Sequence, residues 1–369
     1  MRKLLLILCL FWGVTSHALS YTIKGEVRDA QTNQPVEFAS IYIDGTTIGT
    51  ITGMDGNFEL SFEDNYKQIV ISHISYDNAV QDIDVNADTY LTILLVPKQV
   101  DIAPVTVESV NMKAIHMDYF KKVFLGVDRW GKKAEILNDS VLYFDVEYPE
   151  KLFVPGKGPY NYFIARASEP LKVALPDLGY VLTYDLVDFT EKYNPQIKRN
   201  SIQLLGYSFF TEEEAKSKSQ QKRFYKNRQK AYYNSTTHFV RSLYEGTLGQ
   251  NGYKVSQIVK DTTSNIVQFE SFDIGTCNCI VYMEHEAWLN GLKGNEYEIL
   301  YYYTGKKPRD LMFKKIDPKD QRVKVSGCYY LKDICVVRED GSLPGGEIIF
   351  DGEMINKRIG AALPYDIKF

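Results

Sequence analysis

Past residue 14 the sequence has no apolar run long enough for a transmembrane helix, which removes a helical membrane span from the readings of the rest of the chain. Histidine is scarce, with five in 369 residues. His285-Glu286 opens like a zinc-hydrolase helix, but Leu289 stands where the second histidine ligand belongs. No G-x-S-x-G elbow, phosphate-binding loop or dinucleotide fingerprint occurs, so the common hydrolase, nucleotide and nicotinamide chemistries have no sequence handle, and no cofactor is expected. A strong charge of one sign is also missing. The 43 basic and 47 acidic residues leave −4, or about −6 without Arg2 and Lys3, so no global attraction to nucleic acid is expected.

Cysteine is sparse as well. Cys9 lies inside the N-terminal apolar run, leaving Cys277, Cys279, Cys328 and Cys335. Residues 1–20 read as a secretory signal peptide: Arg2-Lys3, the apolar stretch Leu4 to Val14, then the small-x-small site Ser16-His17-Ala18. Export permits disulfides, and four cysteines allow three pairings. Cys277 and Cys279 are too close in an extended segment to join easily, so a cross pair to Cys328 or Cys335 is expected. Four thiolates on zinc is the alternative, although the C-x-C and C-x6-C spacings lack the usual C-x2-C knuckle.

What the chain does have is strand alternation punctuated by turn residues. Between 21 and 96, short apolar alternations such as Ile41/Ile43 and Phe58/Leu60 are separated by Gly45, Gly49 and Gly53-Met54-Asp55-Gly56. Asp55-Gly56 predicts a hairpin that keeps Ile51 and Phe58 on one face. Five to seven strands in about 75 residues predict a small β-sandwich. The stretch GEVRDAQTNQPVEFASIYIDGTTIGTITGMDGNF, from Gly25 to Phe58, resembles the carboxypeptidase-regulatory-like domain, a transthyretin-like seven-stranded sandwich. The resemblance covers residues 21–98. It implies an accessory domain that holds no peptidase zinc, and a place in the periplasm or at the outer membrane of a bacterium that uses TonB-dependent receptors.

Residues 99–135 read as a linker and an amphipathic helix, with Met112, Ile115, Tyr119, Phe120, Val123 and Phe124 at helical spacing and Gly126 at its C-terminal end. Strands follow over 136–210. Thr211 to Glu214 has the form of a capping box and predicts a helix start. From Lys216 to Lys230 there are seven basic residues and no acid, and a second helix is predicted after Asn234-Ser235 with Phe239, Val240, Leu243, Tyr244 and Leu248 as its buried stripe. Strands return from 253 onward. The expected fold is mainly β with an α+β C-terminal region over 136–369: the sandwich, then strand-rich parts around a basic helical pair. Ser168 to Phe189, Lys226 to Tyr244 and the closing Leu363-Pro364-Tyr365-Asp366 resemble an uncharacterised family of exported bacterial proteins, from which no site residue can be carried over.

Candidate binding residues are Lys222, Arg223, Lys226, Arg228, Tyr232, His238 and Arg241, and the most motif-like polar cluster is Asn227-Arg228, Tyr232, Ser235, His238, Phe239 and Arg241. Ser235 with His238 has the form of a nucleophile and base, and equally of a helix cap and a buried histidine. The basic run suits an anionic glycan, lipid headgroups or nucleic acid, though a solvated helix face is the commoner reading of such a run. Tyrosine pairs at 232–233, 301–303 and 329–330 offer rings for stacking on sugars, half of each set being turned to the core if on strands. The expected role is a non-catalytic envelope module binding protein or polysaccharide. The alternatives are a hydrolase assembled from sequence-distant residues and a small outer-membrane barrel suggested by the alternation Tyr365-Asp-Ile-Lys-Phe369, against which Pro364 and the polar helices count.

Overall fold

The computed structural model describes residues 20–64, 66–84, 90–98, 110–148, 161–194, 199–260, 267–271, 277–302 and 322–369. The proposed signal peptide to residue 19, the extended segment 99–107 and Tyr303 lie outside them. Seven strands build the N-terminal sandwich: β1 (Tyr21–Asp29), β2 (Ser40–Tyr42), β3 (Gly49–Ile51), β4 (Asn57–Phe62), β5 (Gln68–His73), β6 (Tyr76–Asp82) and β7 (Tyr90–Leu95). One sheet runs β4-β1-β7, with β1 antiparallel to β4 and parallel to β7, and the other runs β3-β2-β5-β6. The alternation places Phe58, Leu60 and Phe62 of β4 against Ile23, Val27, Ile41, Ile69, Ile71, Ile93 and Leu95, and this forms the sandwich core.

The Asp55-Gly56 turn is not the expected hairpin. Strand β3 pairs with β2 and β4 pairs with β1, so the turn carries the chain from one sheet to the other, and Ile51 points to solvent while Phe58 is buried. A step between sheets frees the two residues from sharing a face.

The second sheet contains β8 (Glu135–Ile136), β9 (Leu142–Glu147), β10 (Tyr162–Ala167), β11 (Leu171–Leu175), β12 (Tyr180–Asn194) and β13 (Arg199–Glu212). Strands β12 and β13 form a long antiparallel hairpin, bulged between Leu186 and Asp188. The other edge of β12 is shared by β11 at Tyr180 to Tyr184 and β10 at Phe189 to Lys192. Helix α1 (Val110–Leu125) lies across this sheet as its spacing predicts. Phe120 and Phe124 stack 4.9 Å apart and meet Phe189 and Tyr184 edge-on. Gly126, at φ +99°, follows the last turn.

The capping box does not start a helix. Thr211 and Glu212 pair with Val181 and Tyr180 at the end of β13, and α2 (Lys218–Tyr232) begins at Ser217, whose Oγ accepts from the Gln220 amide. Long-range ladder pairing outweighs the local cap signal. Three residues link α2 to α3 (Thr236–Tyr244), where Ser235 caps as predicted by accepting from the His238 amide, 3.1 Å away.

The last part holds β14 (Tyr253–Lys260), β15 (Val267–Ser271), β16 (Ile280–Tyr282), β17 (Glu286–Asn290), β18 (Glu296–Tyr302), β19 (Val323–Tyr330), β20 (Ile334–Arg338) and β21 (Ile348–Gly352). They form an antiparallel sheet β15-β14-β18-β19-β21 and a smaller one, β16-β17-β20, with Phe239, Val240 and Leu243 of α3 in the core between them. Among the described residues the strands fall into five separate sheets, none closed on itself. The final residues, 364–369, form no strand.

The cysteine expectation is corrected. Cys277 and Cys279 are bonded to each other, while Cys328 and Cys335 are buried thiols of the core. Asn278 adopts φ +52°, and the resulting tight turn brings the flanking Cα atoms to 5.2 Å, inside the range a disulfide needs. Burial pushes the Cys328 thiol up to about 12, so it carries little thiolate with which to act as a nucleophile.

The sandwich is docked on the second sheet through backbone pairing. The Gly45 amide donates to Ser208 O (2.7 Å), the Phe210 amide donates to Thr46 O (2.9 Å), and Asp44 accepts from the Ser208 amide (2.7 Å). This covers the outer edge of β13. Beside it the buried carboxylate of Asp185 accepts from the Tyr42 hydroxyl (2.7 Å) and the Ser72 hydroxyl (3.1 Å). Replacing Asp185→Ala leaves two buried hydroxyls unpaired and should cost about 2–3 kcal/mol. Hydrogen exchange should show the Gly45 and Phe210 amides opening faster with the β1–β4 ladder unchanged.

Candidate functional site

A cavity of about 300 Å³ opens where the sandwich, α3, the β20 turn and the C-terminal tail meet. The sandwich supplies Asp64, Tyr66 and Lys67; α3 and its end supply Arg241 and Glu245; the β20 end supplies Arg338, Glu339 and Asp340; the tail supplies Tyr365, Asp366, Ile367 and Lys368. His285, at φ +63° in the turn before β17, contributes an imidazole that meets Glu339 at 2.9 Å.

Arg241 holds the walls together. Its guanidinium donates to the carbonyls of Asp340 (3.0 Å), Ile367 (3.1 Å) and Tyr365 (2.6 Å), tying α3, the β20 turn and the tail. The tail is fastened to the sandwich from the other side. The Tyr365 amide donates to Gly45 O (2.7 Å), and Asp366 accepts from the amide and hydroxyl of Thr47. Gly45 sits at φ +73° with the Tyr365 ring directly over it, so a side chain there would collide with that ring.

Tyr66 stands out within the cavity. It is nine-tenths buried, its ring is fixed edge-on against Phe62 at 5.7 Å, and its hydroxyl has no hydrogen-bond partner among the described residues. Burial, reinforced by Asp64, Asp340 and Asp366, pushes the Tyr66 hydroxyl above its usual range, so it stays protonated. All the charges that act on it belong to residues lining the cavity.

The residues singled out in the sequence are dispersed. Lys222, Arg223 and Lys226 lie on the exposed face of α2. Arg228 is turned the other way: it donates to the Leu178 and Gly179 carbonyls and to Glu212 (2.7, 3.2 and 2.7 Å) and stacks 4.0 Å over Tyr180, and it fastens α2 to the β11–β12 turn. Gly179, at φ +68°, lies under the Phe224 ring, where a Cβ would not fit. Tyr232 is half-buried against His238 and Phe369. His238 is buried, and its Nδ1 accepts from the Tyr253 hydroxyl (2.8 Å) and the Asn234 amide (3.3 Å). Of the seven, Arg241 alone lines the junction cavity.

Ser235 and His238 serve as cap and core acceptor, the structural side of the pair weighed above. The tyrosine sets also divide. Tyr329 is exposed and Tyr330 buried, whereas Tyr301 and Tyr302 are both buried on opposite faces of β18. Among the described residues no group of three or more His, Cys, Asp or Glu is arranged to hold a metal ion. Sequence reasoning missed Tyr66, Lys67, Arg338 and Asp366. The closing Leu363-Pro364-Tyr365-Asp366 motif was the available signal for the tail.

Burial depresses His238 to about 3, with Lys357 and Arg241 adding repulsion. The unfolded chain, near 6.5, therefore binds a proton over a window in which the folded chain does not. Stability from this group is complete above pH 6.5 and is lost as pH falls toward 3. Melting followed from pH 7 to pH 4 should fall more steeply for the wild type than for His238→Gln; equal slopes would contradict this.

Residues 23–107 match the family described as CarboxypepD_reg-like domain. Over 73 residues the chain is 44% identical to the TonB-dependent receptor SusC of Bacteroides thetaiotaomicron, which is 20% of this chain and 7% of the receptor. The chain thus shares only a small fraction of that relative's length. A solved structure from Bacteroides fragilis, of a protein of unknown function described as membrane-associated, is 14% identical and covers 52% of this chain and 81% of its own, with a TM-score of 0.17, too low to carry a structural argument. Among the described residues no helix is long and apolar enough to cross a membrane. The N-terminal sandwich of this chain is a carboxypeptidase-regulatory-like domain.

Proposed function

We propose that the chain is a non-catalytic interaction module of the bacterial cell envelope that engages an envelope protein or a polysaccharide. The observation that carries this reading is the docking of an accessory sandwich as one edge-paired unit with the C-terminal part, leaving a ligand-sized cavity at their junction. The place in the envelope is supported by the sandwich family and by the stretch shared with a TonB-dependent receptor. The exposed lysines and Arg223 of α2 offer a second, electrostatic contact surface for the same role.

Crosslinking of the tagged full chain in intact envelopes, followed by mass spectrometry and glycan analysis of the captured material, tests it. A stoichiometric protein or an enriched polysaccharide is the expected result. A captured profile indistinguishable from that of an unrelated exported protein would contradict the proposal.

A further inference from the structure

The junction cavity has a charge pattern that narrows its ligand. Each wall carries both signs: Asp64 with Lys67 on the sandwich, Glu245 with Arg241 on α3, Glu339 and Asp340 with Arg338 on the β20 turn, and Asp366 with Lys368 on the tail. An anion-binding site gathers bases on one side, and a site for a cation gathers acids. A site for a zwitterion separates the two. Here acceptors and donors are interleaved on every wall, which suits a neutral molecule that both donates and accepts hydrogen bonds all around its rim.

Three further observations agree. Among the described residues the buried Tyr66 hydroxyl has no partner, and a phenol hydroxyl both donates and accepts. A buried polar group without a partner is costly, and a ligand hydroxyl that reaches it would relieve that cost. The Tyr66 and Tyr365 rings and Ile367 add apolar surface among the charges, and the volume of about 300 Å³ sits at the small end of ligand sites. Sugar rings combine apolar C–H faces with hydroxyl edges.

Resting on the interaction-module reading above, we infer that the cavity between Tyr66, Arg338, Asp340 and Asp366 binds a neutral polyhydroxylated ligand of one or two sugar rings. Tyr66 supplies the buried hydrogen-bonding group, Arg338 and Lys67 donate to ligand hydroxyls, and Asp64 and Asp340 accept from them. Arg241 has a positioning role, because its guanidinium is already bound to three carbonyls.

Calorimetric titration of the full chain with D-glucose, D-galactose and N-acetylglucosamine, and with glucuronate and lysine as charged comparisons, tests this. At least one neutral sugar should bind saturably. Tyr66→Phe, which keeps the packed ring, should weaken that binding about threefold to tenfold. Arg338→Met should weaken it comparably, and Lys172→Ala, exposed on β11 and outside the cavity lining, should leave it unchanged. Preference for glucuronate or lysine, binding indifferent to both cavity variants, or no binding of any neutral sugar would overturn the inference. If envelope partners are still captured when the sugars fail to bind, the interaction-module reading stands and the cavity assignment alone falls.

Discussion

The carboxylate of Asp185 is buried between the sandwich and the second sheet, and it takes its hydrogen bonds from Tyr42 and Ser72 of the sandwich. A buried carboxylate is tolerated when such partners are present and is costly when they leave. Burial also holds the Tyr42 hydroxyl well above its usual range, so it remains a donor. This contact fixes which face of the sandwich meets the second sheet. The backbone pairing of Gly45 and Thr46 with Ser208 and Phe210 then fixes the register and covers the open edge of β13.

Once the sandwich is set, the tail has a defined course. Tyr365 and Asp366 reach Gly45 and Thr47 on one side while the Tyr365 and Ile367 carbonyls accept from Arg241 on the other, so one short segment joins the sandwich to α3. Lys357 reinforces the arrangement upstream, donating to the Ala231 carbonyl (2.9 Å) and to Tyr233 O at the end of α2. Burial lowers Lys357 to about 7, opposed by the negative charge of Asp128. The junction cavity is what remains between these fastenings, and its rigidity follows from them. Fastening a cavity in advance lowers the ordering cost of binding there.

The sandwich was legible because its code is local, in period-two alternation and turn glycines. Helix α3 was legible for the same reason, since Ser235 and the Phe239, Val240, Leu243 stripe lie within nine residues. Two of the failures share one cause, that distant pairing outweighed a local signal. Thr211 is claimed by Val181 before it can cap a helix, and Ile51 and Phe58 are claimed by different sheets. Cys277 and Cys279 were misread because the left-handed turn at Asn278 is invisible in an extended-chain picture. The cavity could not be read at all, because residues near 66, 241, 339 and 366 meet only through the docking of whole sheets.

The central claim is that the sandwich and the C-terminal part form one mechanical unit. Scanning calorimetry of residues 21–369, compared with the isolated sandwich over 21–98, tests it most directly. The account predicts that within the long chain the sandwich unfolds together with the rest in a single transition, whose calorimetric and van't Hoff enthalpies agree. A separate transition in the long chain at the temperature where the isolated sandwich melts would contradict it.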